Sequence, residues 1–287
     1  IYRKDNKIFP INKQMSFKIR DKRFAKNDSH CKKIATIQGG DMDKKCLYLC
    51  DDESGDTELK LTGRSQFQPV PFHAKYQIER LFISGASGSG KSTYLAKWLR
   101  QFLKQKGNKD APIYIFSSVD HDPVLDDDAL IGPNIVRVLD EIDENEIITE
   151  PLGLGDFEEN SVIVFDDTMK IQNPKVRVMV FCLMESLLEI ARHKNIQLVV
   201  TTHILNNYRS TKTIQTEATS VCVFPKFSGG LYHIKQYLEK KVGMNKQELK
   251  KFLSLSNNSR YVCLHRSNPM FVMSAKQIYL YDPFKDD

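Results

Sequence analysis

Residues 81–92 constrain this chain more than any other stretch. They read Leu-Phe-Ile-Ser-Gly-Ala-Ser-Gly-Ser-Gly-Lys-Ser, so Gly85, four intervening residues, and then Gly90, Lys91 and Ser92 satisfy the pattern Gly-x-x-x-x-Gly-Lys-Ser/Thr at every position. An apolar strand-like run leads in and a helix-like run leads out, which excludes a Gly/Ser linker. Such a loop needs glycine because backbone N–H groups must close around phosphate oxygens, which calls for positive φ and leaves no room for side chains. The expected nucleotide-binding residues are Gly85, Ala86, Ser87, Gly88, Ser89, Gly90, Lys91, Ser92 and Thr93. Lys91 would neutralise the β and γ phosphates and Ser92 would hold Mg²⁺, with the positive end of the following helix turned toward the anion.

A second landmark lies 75 residues further on, where residues 161–167 read Ser-Val-Ile-Val-Phe-Asp-Asp. Four apolar, β-prone residues ending in acids read as a buried parallel strand whose carboxylates emerge at its C-terminal edge. Asp166 is expected to hold Mg²⁺ and Asp167 to orient or deprotonate the attacking water. Residues 174–193 then keep a 3, 4, 3, 4 apolar spacing, a long helix laid on the sheet. Its opposite face carries Glu185, Glu189 and Arg192, which read either as a functional cluster or as an intrahelical ion pair. Residues 196–200 form another buried strand, tipped by Thr201, Thr202 and His203. His203 would contact the γ-phosphate, or stand as a solvated loop histidine.

The rest of the chain supplies the frame. Its 287 residues, 41% hydrophobic and 27% charged, suffice for one main domain with appendages. No apolar run reaches the roughly 18 residues of a membrane span and no apolar signal segment opens the sequence, so a soluble, non-secreted protein is expected. The net charge of +6 is segregated. Residues 1–33 hold 11 Lys/Arg against 3 Asp/Glu, residues 120–166 hold 1 against 15, and residues 167–287 hold 18 against 9. Basic ends could meet a polyanion or could be ordinary solvated surface. We expect a basic extended arm over 1–33 and a small β subdomain over 34–77, with strands at 34–37, 46–50 and 58–61. A main α/β domain follows over 78–287, with an acidic insertion at 120–160 and a basic extension at 226–287. The six cysteines are scattered, which fits free thiols in a reducing compartment. Zinc binding by His30, Cys31, Cys46 and Cys50 has poor spacing, because Cys46 and Cys50 fall on one strand face without a knuckle turn.

An acid-bearing strand separated from the glycine loop by a strand and helix, then a polar-tipped strand, is the order of the additional-strand class of P-loop NTPases, with a central, mostly parallel sheet. Three segments together resemble the DNA-packaging ATPases of poxviruses and other large nucleocytoplasmic DNA viruses, within the FtsK and HerA superfamily. They are the glycine loop, Val-Ile-Val-Phe-Asp-Asp, and Ala-Arg-His-Lys-Asn-Ile-Gln-Leu-Val-Val-Thr-Thr-His. The resemblance covers about residues 78–225, and the Arg192-His193 pair is its most distinguishing piece. It implies an ATP- and Mg²⁺-dependent motor that threads double-stranded DNA into a capsid from a hexameric or pentameric ring, in the virion or the host-cell cytoplasm, with a capsid or membrane-vertex partner. It also implies an arginine finger from a neighbouring subunit, for which Arg192 and Arg209 are both candidates. Two positions depart from the superfamily: Asp167 stands where Glu is usual, and His203 where Gln is common. A small-molecule kinase and a nucleotide-gated assembly protein are the competing readings, and in the absence of an Asn-Lys-x-Asp guanine signature adenine is the default base.

Overall fold

The computed structural model describes residues 15–21, 30–52, 54–71, 78–126, 131–141, 144–207, 211–227 and 230–283. Its strands are β1 (Ser16–Arg20), β2 (Cys31–Gln38), β3 (Cys46–Cys50), β4 (Glu58–Lys60), β5 (Gln66–Pro69), β6 (Arg80–Ser84), β7 (Ile113–Ser117), β8 (Ile135–Arg137), β9 (Val162–Asp166), β10 (Gln197–Thr202), β11 (Ser220–Val223), β12 (Val262–His265), β13 (Met270–Ser274) and β14 (Gln277–Tyr281). Its α-helices are α1 (Lys91–Leu103), α2 (Val138–Glu141), α3 (Glu144–Thr149), α4 (Pro174–Ile190), α5 (Lys212–Glu217), α6 (Leu231–Tyr237) and α7 (Lys246–Ser254).

Ten strands form one sheet in the order β4-β14-β13-β12-β11-β6-β10-β9-β7-β8. From β11 to β8 every neighbour is parallel. The strand carrying the glycine loop, β6, is flanked by β11 and β10, and β10 separates it from acid-bearing β9. This is the additional-strand order expected from the sequence, in an α/β P-loop fold. Alternation along the central strands sends residues to both faces, as a sheet covered on both sides requires. Phe82, Ile163, Phe165, Leu198 and Val200 enter the core shared with α4, and Leu81, Ile83, Val164 and Val199 enter the one shared with α1. α1 contributes Leu95, Trp98, Leu99 and Phe102, and α4 contributes Val176, Val180, Leu187 and Leu188. Fully burying such a side chain stabilises the fold by about 1.5–3 kcal/mol. Among the described residues no helix is long and apolar enough to cross a membrane.

Several expectations shift at the periphery. Residues 16–20, inside the stretch expected as an extended arm, pair with β3 and complete a four-stranded antiparallel sheet, β1-β3-β2-β5. The rest of that stretch up to residue 14, and residues 22–29, lie outside the described residues. β4 leaves the N-terminal sheet altogether and pairs with β14 at the edge of the large one. The basic extension is no appendage: β12, β13 and β14 continue the large sheet antiparallel from β11. The N-terminal sheet packs on them, with Phe17, Ile37, Leu47 and Phe67 sharing a core with Phe271, Met273 and Ile278. The acidic insertion supplies the edge strand β8 and buries Val138, Ile147 and Phe157 in the main core.

The cysteine expectation is corrected. Cys31 and Cys50 form a disulfide, because the β2–β3 register sets them directly opposite one another. Cys46, Cys182, Cys222 and Cys263 are free thiols. Cys31, Cys50 and Asp52 do gather within metal-ligand reach, but the two sulfurs are bonded to each other and so are spent as ligands.

Candidate functional site

β6 delivers the chain at Ser84 to the glycine loop, and α1 starts at Lys91. Gly90 is the residue before the helix, at φ 107°, a left-handed conformation that side chains resist. No side chain caps α1, so its first N–H groups are left to face the loop. Gly85 is required for a different reason. A Cβ there would stand 2.6 Å from Ser89 Oγ and 2.8 Å from Phe224 Cδ2. The Lys91 side chain is buried; its Nζ donates to the Gly85 carbonyl at 2.9 Å and lies 3.6 Å from Asp167 Oδ2.

β9 brings the acids to the same edge. Asp166 is flanked in register by Ser117 of β7 and Thr201 of β10. Thr201 Oγ1 donates to Asp166 Oδ1 at 2.6 Å, and Ser117 Oγ donates to Asp166 Oδ2 at 3.3 Å. Burial pushes the Asp166 carboxyl above the ordinary aspartate value; the Thr201 hydrogen bond opposes this, and the neighbouring Asp167 charge adds to it. The chain then leaves the strand through Asp167, whose φ of 44° is left-handed. Aspartate tolerates that conformation better than most residues, and such residues gather at functional sites. The Asp167 N–H donates to the Thr201 carbonyl at 3.3 Å and to its hydroxyl at 3.2 Å. Thr201 therefore clamps both aspartates at once.

β10 carries the third component. His203 Nε2 lies 2.9 Å from Asp167 Oδ2 and 2.7 Å from Lys170 Nζ. Burial lowers the His203 pKa, as do the Lys91 and Lys170 cations, against the pull of Asp167. The ring Nε2 either donates an N–H to the Asp167 carboxylate or accepts one from the Lys170 ammonium, so the tautomer selects which of the two contacts is a hydrogen bond. Lys91, Asp167, His203 and Lys170 form one chain of polar contacts across the ends of three strands.

The donors suit the groups the sequence implies. Ser92, next to Lys91, and Asp166 offer hydroxyl and carboxylate oxygens, the ligands a hard cation such as Mg²⁺ takes. The loop offers backbone N–H groups and a cation to a triphosphate. Ala86, Ser87, Gly88, Ser89 and Thr93 lie in the loop and the first turn of α1, where a nucleotide site needs them.

Arg192 is not part of this constellation. It stands exposed in the turn Ala191–Lys194, ahead of β10 and at the opposite edge of the sheet, about 17 Å of strand away. Its charge is felt there by Arg80 at the start of β6. Arg209 lies outside the described residues. Of the helix face opposite the core, Glu185 accepts a hydrogen bond from Thr213 of α5. Sequence reasoning missed Ser117, Lys170 and the clamp made by Thr201. For two of them the sequence held a partial signal, a polar residue ending each strand that neighbours the acid-bearing one, and the register supplied the rest by setting Ser117 and Thr201 opposite Asp166. Lys170 depends on the turn after Asp167, which no pattern announces.

No protein-family model matches the chain. It is 29% identical over 245 residues to the uncharacterized protein V3 of the Sputnik virophage, an alignment covering 84% of this chain and 92% of that protein. Among solved structures it is similar to the genome packaging NTPase B204 of Sulfolobus turreted icosahedral virus 2 in complex with ATP-gammaS. That match has a TM-score of 0.38 at 12% identity and covers 72% of this chain and 98% of the other. It is also similar to the cytoplasmic domain of the type VII secretion ATPase EccC of Thermomonospora curvata, with a TM-score of 0.45 at 12% identity over 80% of this chain and 29% of the other.

Proposed function

We propose that the chain is an ATP-hydrolysing motor that translocates double-stranded DNA, and that its task is to package a viral genome. The observation that carries this reading is the meeting of Lys91, Asp166, Asp167 and His203 at one edge of an additional-strand sheet. Lys91 holds the β and γ phosphates. Ser92 and Asp166 hold Mg²⁺, which supplies charge neutralisation at the phosphates. Asp167 orients the attacking water and takes its proton. His203, tied to Asp167 and Lys170, reports the state of the phosphate to the strand behind it.

Arg192 stands too far from its own glycine loop to act there. As an arginine finger it would serve a neighbouring subunit's site in a homo-oligomeric ring, hexamer or pentamer, with a capsid or membrane-vertex protein as docking partner. The virophage relative supports a viral setting, the virion or the host-cell cytoplasm. The basic C-terminal half, with 18 Lys/Arg against 9 Asp/Glu over residues 167–287, supports a polyanion as cargo. The kinase alternative needs a mobile arginine lid. The one arginine of the acidic insertion, Arg137, is instead held, donating to both carboxylate oxygens of Asp126 at 2.8 and 2.7 Å and to the Val119 carbonyl at 2.8 Å.

Adding duplex DNA at low salt should raise steady-state ATP turnover, and the gain should fall steeply as salt is added, because phosphate contacts release counterions. Turnover indifferent to DNA at low salt would overturn the motor reading. Within the site, Thr201→Val removes the hydroxyl that clamps both aspartates while keeping its shape. The Mg²⁺ concentration needed for half-maximal turnover should rise about 10- to 100-fold, as for other groups that orient metal ligands. A Mg²⁺ titration of phosphate release checks this.

A further inference from the structure

A cavity of about 450 Å³ opens beside the glycine loop. That size falls within the ~300–1,000 Å³ range of small-molecule sites. One wall is the face of α1 that presents Thr93, Lys97 and Trp98. The facing wall is made by Phe224 and Phe227 as the chain leaves β11, and by Arg260 and Tyr261 as it enters β12. The N-terminal sheet closes the remaining side with Gln66 and Gln68 of β5, and Gln68 is only 6% exposed. The Arg260 guanidinium carbon lies 5.4 Å from the Phe227 ring centroid. Ser89 and Gly90 belong to both the loop and the cavity.

Two buried groups in this lining, Ser89 Oγ and Trp98 Nε1, have no hydrogen-bond partner among the described residues. Buried polar groups are nearly always satisfied, and those that are not tend to mark places with a function. The walls combine aromatic faces, a guanidinium plane and carboxamides. A phosphate would use the Arg260 guanidinium but leave the aromatic faces and carboxamides idle, whereas a flat heterocycle stacks on rings and guanidinium and reads an amide's paired donor and acceptor. An aliphatic or lipid ligand would leave the amides and Arg260 unmet.

We propose that this cavity takes the nucleoside of the bound triphosphate, base included, so that strand β5 of the N-terminal sheet is part of the nucleotide site. The inference rests on the triphosphate reading of the glycine loop. A ligand whose phosphates lie against Lys91 enters the cavity with the group those phosphates carry, because Ser89 and Gly90 are common to both. The N-terminal sheet then does more than pack on β13 and β14, since its glutamines touch the base and nucleotide ties the two sheets together.

Trp98 is the single tryptophan of the chain and lies in the wall, so its fluorescence reads the cavity directly. The full chain is titrated with ATP and with inorganic tripolyphosphate in the presence of Mg²⁺. ATP should change Trp98 emission, whereas tripolyphosphate should compete with ATP for the loop and leave the emission unmoved. Arg260→Ala, at an exposed position where folding is not at stake, and Gln68→Ala should each raise KM for ATP about tenfold with kcat within twofold, and leave tripolyphosphate affinity unchanged. ATP hydrolysis with unmoved emission and wild-type KM in both variants would overturn the cavity assignment and leave the triphosphate reading standing. Binding of neither ATP nor tripolyphosphate by the unaltered chain would overturn both.

Discussion

Replacing Asp167 with asparagine should lower ATP turnover about 100- to 1,000-fold while leaving ATP affinity within about threefold, the pattern of a lost general base. Asparagine keeps the size of the side chain and, like aspartate, accepts the left-handed φ of 44° at this position, so the exit from β9 is preserved. Its amide cannot take a proton from water. It also removes the negative charge that faces Lys91 at 3.6 Å and His203 at 2.9 Å. Phosphate release under saturating ATP measures turnover, and displacement of a fluorescent nucleotide measures affinity. Unaltered turnover would move Asp167 out of the chemistry. Lost turnover with intact biological function would favour the nucleotide-gated assembly protein over the motor.

Lys91→Ala acts earlier, at binding. The lysine is buried, and its contacts are the Gly85 carbonyl at 2.9 Å and the Asp167 carboxylate at 3.6 Å. Without it the loop retains its N–H groups but offers no cation to the β and γ phosphates, and the half-buried Asp167 charge is left to repel them. The value of kcat/KM should fall about 1,000-fold, equivalent to roughly 4 kcal/mol of lost stabilisation. Folding should survive, since alanine is the best helix former and this is the first position of α1. The clean readout is the ATP-dependent rise in melting temperature, which should vanish in the variant while its melting temperature without ligand stays near that of the unaltered chain. A retained shift would show that the loop binds triphosphate through its backbone alone.

How much of this was legible in the sequence depended on whether a feature is local. The glycine loop, the acid pair and the polar strand tip each occupy a few consecutive residues, and their chemistry forced the strand-loop-helix context that surrounds them. The apolar run of β9 and the 3, 4 spacing of α4 were equally local; β9 forms where the pattern puts it, and α4 does so up to Ile190, three residues short of the expected end, which leaves Arg192 in the following turn. Pairing between distant strands was not local. Nothing near residue 58 says that β4 joins β14 rather than the N-terminal strands. Nor does anything near residue 31 say that register will set Cys31 against Cys50. Arg192 was singled out by its neighbours in the chain, but strand direction decides which end of the sheet it occupies, and β10 carries the chain from Arg192 away toward the loop. In the site itself, residue identities were readable, whereas the role of Thr201 as a shared clamp needed the register of β9 against β10.

The pairing of β4 with β14 bears on how the molecule is made. Lys60 lies opposite Gln277, and β6 sits between β10 and β11, both synthesised more than a hundred residues after it. During translation the glycine-loop strand must therefore wait, with both hydrogen-bonding edges unpaired, until the ribosome has released β10 and β11, and β4 waits longer still for β14. Closing such long separations is slow, so unpaired strand edges stay open to aggregation over that interval, and the nucleotide site exists only after the late strands have been laid down.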